Sequence, residues 1–251
     1  MRSLALSLLT WLLFPAYLAQ GIWVRKNSMR LAPPEEGGTF GQFGKGPADV
    51  SLLVVGDSSA AGVGIVSTAG TLASQMAEKL NLQSQQSVRW QIAGNNSAVS
   101  GEVRDHVVPH LERHDYTHIV LMIGMNDIKN WHSVLRFKKD FGTLIYALRT
   151  RFPQARIYWH QAIDMRKVPS LPKLLGWILS MRAQLINRKG AQLCLERGIV
   201  CVPPLKVEDA NGFCRDGFHA NEMGYEAWAA HLIDHLALTP RSSPAVAPFI
   251  R

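Results

Sequence analysis

Only three of the 251 residues are cysteine: Cys194, Cys201 and Cys214. They are odd in number and form no Cys-x-x-Cys pair, so neither a full disulfide framework nor a thiolate zinc site is expected. Cys194 and Cys201 read as buried free thiols, with a Cys201 to Cys214 disulfide open to an exported protein. No Gly-Lys-[Ser/Thr] follows the Gly56 to Gly64 loop, so the lysine of a phosphate-binding loop is missing. The histidines His106, His110, His114 and His118 recur every four residues, yet Pro109 interrupts them and no Cys or carboxylate completes a metal-ligand motif. They read as a surface stripe, and neither metal nor cofactor is expected. Charged residues make up only 18% of the chain, and the net charge of +8 is spread out apart from Arg166-Lys167 and Lys138-Lys139. Without a base-stacking aromatic pattern this is a solvated basic surface, with no nucleic-acid partner.

Residues 3–24 contain no charge at all. As a helix, 22 residues span about 33 Å, enough for a bilayer core. The apolar heart is shorter, Pro15 interrupts it, and Ala19-Gln20-Gly21 has the small-x-small form of a cleavage site. Residues 1–24 are therefore a signal peptide or a membrane anchor, with export or a membrane-attached periplasmic face expected. Arg25, Lys26 and Arg30 follow the stretch while only Arg2 precedes it, which by the positive-inside rule favours the opposite orientation. Residues 25–49, with Pro33-Pro34, Glu35-Glu36 and five glycines from position 37 on, read as a flexible tether. A domain over residues 50–238 and a tail over 239–251 complete the expected organisation. With 47% hydrophobic residues, the domain has enough apolar material for a full core.

Within that domain the apolar pattern switches between strand and helix. Strands are expected at 51–55, 88–93, 117–123, 156–161 and 199–202, and helices at 71–80, 101–111, 134–149, 178–196 and 222–236. Five strands alternating with helices of this length form a parallel sheet covered on both faces, an α/β fold. Chemistry in such sheets gathers at the carboxyl ends of the strands. Gly56-Asp57-Ser58, Ser100-Gly101 and Gly124-Met125-Asn126-Asp127 fall at or just past three of those ends, and Asp216-Gly217-Phe218-His219 follows the fifth strand.

The side chains in these blocks form a complementary set. A serine hydroxyl needs a base to take its proton as it attacks, and a histidine works as that base only when its tautomer and orientation are fixed. Ser58 is the candidate nucleophile, His219 the base and Asp216 the carboxylate that orients it. The backbone amides of Ser58 and Gly101 and the side-chain amide of Asn126 are candidate donors to an oxyanion. Gly94 also follows a strand and competes with Gly101 for the second block. Asp57 and Asp127 read as structural hydrogen-bonders, Asp127 bracing the loop that holds Asn126. His132, His160, His231 and His235 have no evident partner.

In this order the blocks resemble those of the SGNH (GDSL-type) hydrolase superfamily, over about residues 51–236. Ser59 stands where the leucine of the family's older name would be. The resemblance implies a three-layer α/β/α, flavodoxin-like fold on a five-stranded parallel sheet. It also implies a serine esterase working through an acyl-enzyme, with Ser58, Asp216 and His219 catalytic and Ser58, Gly101 and Asn126 forming the oxyanion hole. The partner is then a small-molecule or lipid ester. Residues 164–177, an apolar and basic segment after the fourth strand, either contact an acyl chain and anionic headgroup or simply connect strand to helix. An acetyl esterase, a thioesterase, or a non-catalytic ligand-binding module of flavodoxin-like fold are the alternatives.

Overall fold

A computed structural model of the chain describes residues 2–238. Six strands form one sheet: β1 (Phe40–Phe43), β2 (Val50–Gly56), β3 (Val88–Gly94), β4 (His118–Met122), β5 (Arg156–His160) and β6 (Val200–Val202). Their order is β1-β3-β2-β4-β5-β6, with β1 antiparallel to β3 and every other pair parallel. The five expected strands are all present in flavodoxin-like order, and β1 is an added edge. It falls within the segment expected to be a flexible tether. Residues 25–49 are instead built into the fold: Gly64 N–H donates to Ala32 O at 2.9 Å and Thr68 N–H to Glu36 O at 3.0 Å before β1 pairs with β3. Composition hid this because backbone ladders need no apolar side chains. The tail expected over 239–251 lies outside the described residues.

Alternation along the strands divides the core into two layers. Leu53, Val55, Ile119, Leu121, Ile157 and Trp159 point to one side, and Leu52, Val54, Val120, Met122, Tyr158 and Val202 to the other. The N-terminal helices α1 (Arg2–Leu12) and α2 (Phe14–Asn27) precede the sheet, and the short α3 (Ser58–Ala61) follows β2. Next come α4 (Leu72–Ser84), the single-turn α5 (Ser100–Glu102), α6 (Met125–Lys129), α7 (Val134–Arg151), α8 (Lys173–Arg197) and α9 (Glu222–Ile233). Helices α4 and α9 cover the second layer, while α7 and α8 cover the first, with α1 and α2 packed on α8. The helix expected over 101–111 is broken: α5 gives way to a π turn at Val103–Val107 and a 3-10 turn at Val108–His110. Pro109 lacks the N–H that a regular helix would use there.

The sheet's topological switch lies at β2, whose neighbours β3 and β4 are reached by connections running in opposite directions. At its carboxyl end Gly56 takes φ +155°, and an ideal Cβ there would fall 1.9 Å from Met122 O on β4. Only glycine lets the chain turn from β2 into α3 this close to its neighbour. Gly56→Ala should cost about 3 kcal/mol or more, read as a large fall in the urea midpoint. A midpoint close to wild type would refute the close-approach requirement.

Candidate active site

Four chain segments meet above the switch point. Asp57 caps α3, accepting from Ser59 N–H at 3.0 Å, and so places Ser58 at the first position of that helix. Ser58 is buried, and its Oγ makes no hydrogen bond among the described residues. Asn126 opens α6 and is also buried. Its Nδ2 donates to Ala98 O at 2.9 Å and lies 3.3 Å from Asp57 Oδ2, which ties the third block to the first and to the loop before α5.

Asp127 is fully buried, with two functions for its two oxygens. Oδ2 accepts from Ser100 N–H at 3.0 Å and from Ser100 Oγ–H at 2.8 Å, whereas Oδ1 pairs with His132 Nδ1 at 3.0 Å. It therefore braces the Ser100-Gly101 block as well as its own loop. His132, without evident partner in the sequence, belongs to this network. Arg182 of α8 donates to His132 O at 2.6 Å, and burial pushes its guanidinium down to about 10.

Gly101 and Gly94 have different surroundings. A Cβ on Gly94 would fall 2.2 Å from Ala61 N, so this residue is a packing glycine beneath α3. At Gly101 a Cβ would meet the Asp140 carboxylate of α7 at 3.3 Å, a milder crowding. Gly101 is thus held beside the site by helix packing, and Gly94 lies under the serine turn.

The last block folds as a tight loop between β6 and α9. Cys214 N–H donates to His219 O at 2.7 Å and Gly217 N–H to Cys214 O at 2.8 Å, with Phe213 bridged to Ala220. Asp216 serves as cap and orienter together: Oδ1 accepts from Phe218 N–H and His219 N–H at 2.9 and 3.0 Å, and Oδ2 lies 2.6 Å from His219 Nδ1. That geometry fixes the ring and leaves Nε2 as the available nitrogen. Cys214 Sγ, 3.2 Å from Ala220 O and 3.6 Å from Gly64 O, docks this loop against the turn that follows α3. The Cys201 to Cys214 disulfide is not formed; all three cysteines are free, and Cys201 lies instead against Cys194. Cys214 is spent on packing at Gly64.

The other sequence candidates lie apart from this cluster. His118 is buried in β4, bonded to Thr117 Oγ1 and Ala237 O, while His114 pairs with Glu112, so no stripe forms. His160 accepts from Trp228 Nε1–H at 2.9 Å, and burial pushes it down to about 3. Within residues 164–177, Met165, Val168 and Leu175 enter the core and Leu174 and Trp177 are exposed. Ser170 N–H donates to Gly217 O at 3.0 Å, so the segment abuts the His219 loop. Lys129, on the turn after Asn126, was not singled out in the sequence although it stands beside the site. Its ammonium lies 4.4 Å from the Phe218 ring centroid.

Known proteins share features of this sequence and fold. The profile of the GDSL-like lipase/acylhydrolase family matches residues 54–227. No curated protein matches the chain. Among solved structures, the lipase/acylhydrolase from Enterococcus faecalis aligns with a TM-score of 0.58 at 15% identity, over 77% of this chain and 100% of that one. Phospholipase A1 from Streptomyces albidoflavus NA297 aligns at 0.56 with 14% identity, over 76% and 100%. The psychrotrophic esterase EstA from Pseudoalteromonas sp. aligns at 0.58 with 15% identity, over 73% and 94%. At these identities the likeness is one of fold.

Burial pushes the Asp57 carboxyl from 3.8 up to about 6, against the opposing pull of the Ser59 N–H and Lys129. The folded state therefore holds a proton that the unfolded chain releases, and this contribution to stability is present below about pH 4 and lost as pH rises through 6. Asp57→Asn keeps an acceptor for Ser59 N–H but cannot ionise. Its stability relative to wild type should improve by up to roughly 3 kcal/mol between pH 4 and pH 7, measured by urea unfolding at both. A pH-independent difference would show that Asp57 ionises freely in the fold.

Proposed function

The chain belongs to the GDSL-like lipase/acylhydrolase family, and from that premise we propose that it is a serine esterase in which Ser58 attacks the ester carbonyl. His219 takes the Ser58 proton through Nε2 as the bond to carbon forms. Asp216, bonded to Nδ1, stabilises the resulting imidazolium. The carbonyl oxygen gains negative charge, met by the backbone N–H groups of Ser58 and Gly101 and by Asn126. One Asn126 hydrogen is committed to Ala98 O; the other, in the longer contact with Asp57, is the one offered to the oxyanion. His219 then gives its proton to the leaving alcohol, and water repeats the sequence on the acyl-enzyme. The observation that carries this reading is the 2.6 Å Asp216 to His219 pair in the loop docked against the Ser58 turn.

A lipid ester is favoured as substrate by the N-terminal helices. Helices α1 and α2 are bent by 60° to one another, and among the described residues no single helix is long and apolar enough to cross a membrane. Their inner side carries Phe14 and Tyr17 against Trp131, with ring centroids 5.1 and 4.3 Å away. Their outer side leaves Leu8, Leu12, Ile22 and Trp23 in solvent. A helix pair apolar on both sides fits a retained attachment lying against a lipid surface better than a segment discarded on export. The enzyme is accordingly read as an exported, membrane-attached protein. Acetyl ester or thioester substrates would use the same residues.

Wild type should hydrolyse p-nitrophenyl butyrate, and Ser58→Ala and His219→Ala should each lower kcat by about 10^4-fold or more without altering the circular dichroism spectrum. Turnover equal to wild type in either variant would sink the assignment. For the attachment, the intact mass of the protein recovered from the membrane fraction should be that of the whole chain. Recovery of residues 22–251 alone would identify a cleaved leader.

A further inference from the structure

Lys129 is not used in the ester chemistry, yet it is built into the site. Tyr17 Oη–H donates to its carbonyl at 2.5 Å, fixing the backbone from the side of α2. The side chain is half-buried, and its ammonium makes no hydrogen bond and no ion pair among the described residues. Burial pushes the ammonium down, and Asp57 and Asp216, close enough to act on it, push it back up. Arg25, exposed on the last turn of α2, is near enough to oppose the Lys129 charge. The Lys129 ammonium therefore stands at the rim of the site with no carboxylate within bonding distance among the described residues. A partly buried cation is costly unless an anion or hydrogen-bond acceptor meets it.

The position of Lys129 identifies which part of a substrate would meet it. His219 must deliver its proton to the leaving alcohol, so the alcohol portion of an ester lies along the His219 loop. Lys129 sits over Phe218 in that same loop, 4.4 Å from the ring centroid. We propose that Lys129 forms a subsite for an anionic group, a phosphate or carboxylate, on the alcohol portion of the ester. This rests on the esterase reading above and narrows it to esters with a charged alcohol. The competing role for Lys129 is that of a fixed counter-charge to Asp57 and Asp216, which would serve all esters equally.

The two roles separate in a ratio. For 1-butyrylglycerol 3-phosphate against 1-butyrylglycerol, with acyl group and glycerol in common, wild type should show the higher kcat/KM on the phosphate ester. Lys129→Met should reduce that preference about tenfold, chiefly through KM, equivalent to about 1.4 kcal/mol. Lys129→Arg should retain it. An absent preference in wild type, or an equal fall on both esters that leaves the ratio unchanged, overturns the subsite. If neither ester is hydrolysed, the proposed function fails by itself. The subsite is then read by calorimetry, with glycerol 3-phosphate titrated into Ser58→Ala and into Ser58→Ala/Lys129→Met. Binding lost in the second supports the subsite, and no binding to the first overturns it.

Discussion

The buried carboxylate of Asp127 holds the site together. A carboxylate removed from water must have both oxygens satisfied, and those of Asp127 are met by Ser100 on one side and His132 on the other. Ser100 carries Gly101 with it, and Asn126 is its sequence neighbour, so two of the three proposed oxyanion donors are positioned by one group. Asp57 connects this set to the serine turn through Asn126 and Ser59. Donors arranged in this way need no reorganisation when charge appears on the substrate, which is the physical requirement of an oxyanion hole.

Around that centre the N-terminal helices pack against the loops of the site. Trp131 adopts a left-handed backbone conformation at φ +57°, unusual for a bulky residue. It is enclosed by Phe14 and Tyr17 on one side and by the Arg182 guanidinium, 4.0 Å from its ring centroid, on another. Arg182 also holds the carbonyl of His132. The α2 surface is thereby continuous with the loop that carries Asn126, Asp127, Lys129 and His132. An enzyme stripped of residues before Arg25 would lose the packing of Phe14 and Tyr17 on Trp131.

Much of this was legible before any coordinates. In β2 and β4 the strands are nearly continuous apolar runs, and residues that must be buried on both faces cannot hide their pattern. The order of blocks along the chain marked Ser58, Gly101, Asn126, Asp216 and His219 as candidates, because the blocks follow the carboxyl ends of β2, β3, β4 and β6 in turn. The antiparallel β1 was not legible. Phe40-Gly41-Gln42-Phe43 is short, largely exposed and held by backbone ladders, which leave little trace in side-chain type. The helix expected over 101–111 failed for a related reason: its apolar spacing is helical, but Pro109 forces changes of pitch that spacing alone does not express. His132 and Lys129 were equally hidden, since a partner contributed by another part of the fold has no signature beside the residue itself.

By itself, the sequence determined the layered α/β fold, the family and a candidate set of reactive side chains, because periodic burial and short local blocks are written in neighbouring residues. Tertiary structure alone decided that Gly94 packs beneath α3 while Gly101 lies beside Ser100, and that Cys214 pins the His219 loop instead of forming a disulfide. It also decided that Ala32, Glu36 and β1 pair with the sheet domain and that α1 and α2 pack on α8. These outcomes depend on distances between segments far apart in the chain, such as 2.2 Å from a Gly94 Cβ to Ala61 N. Such distances exist only after the sheet has closed its register and the helices have taken their places on its two faces.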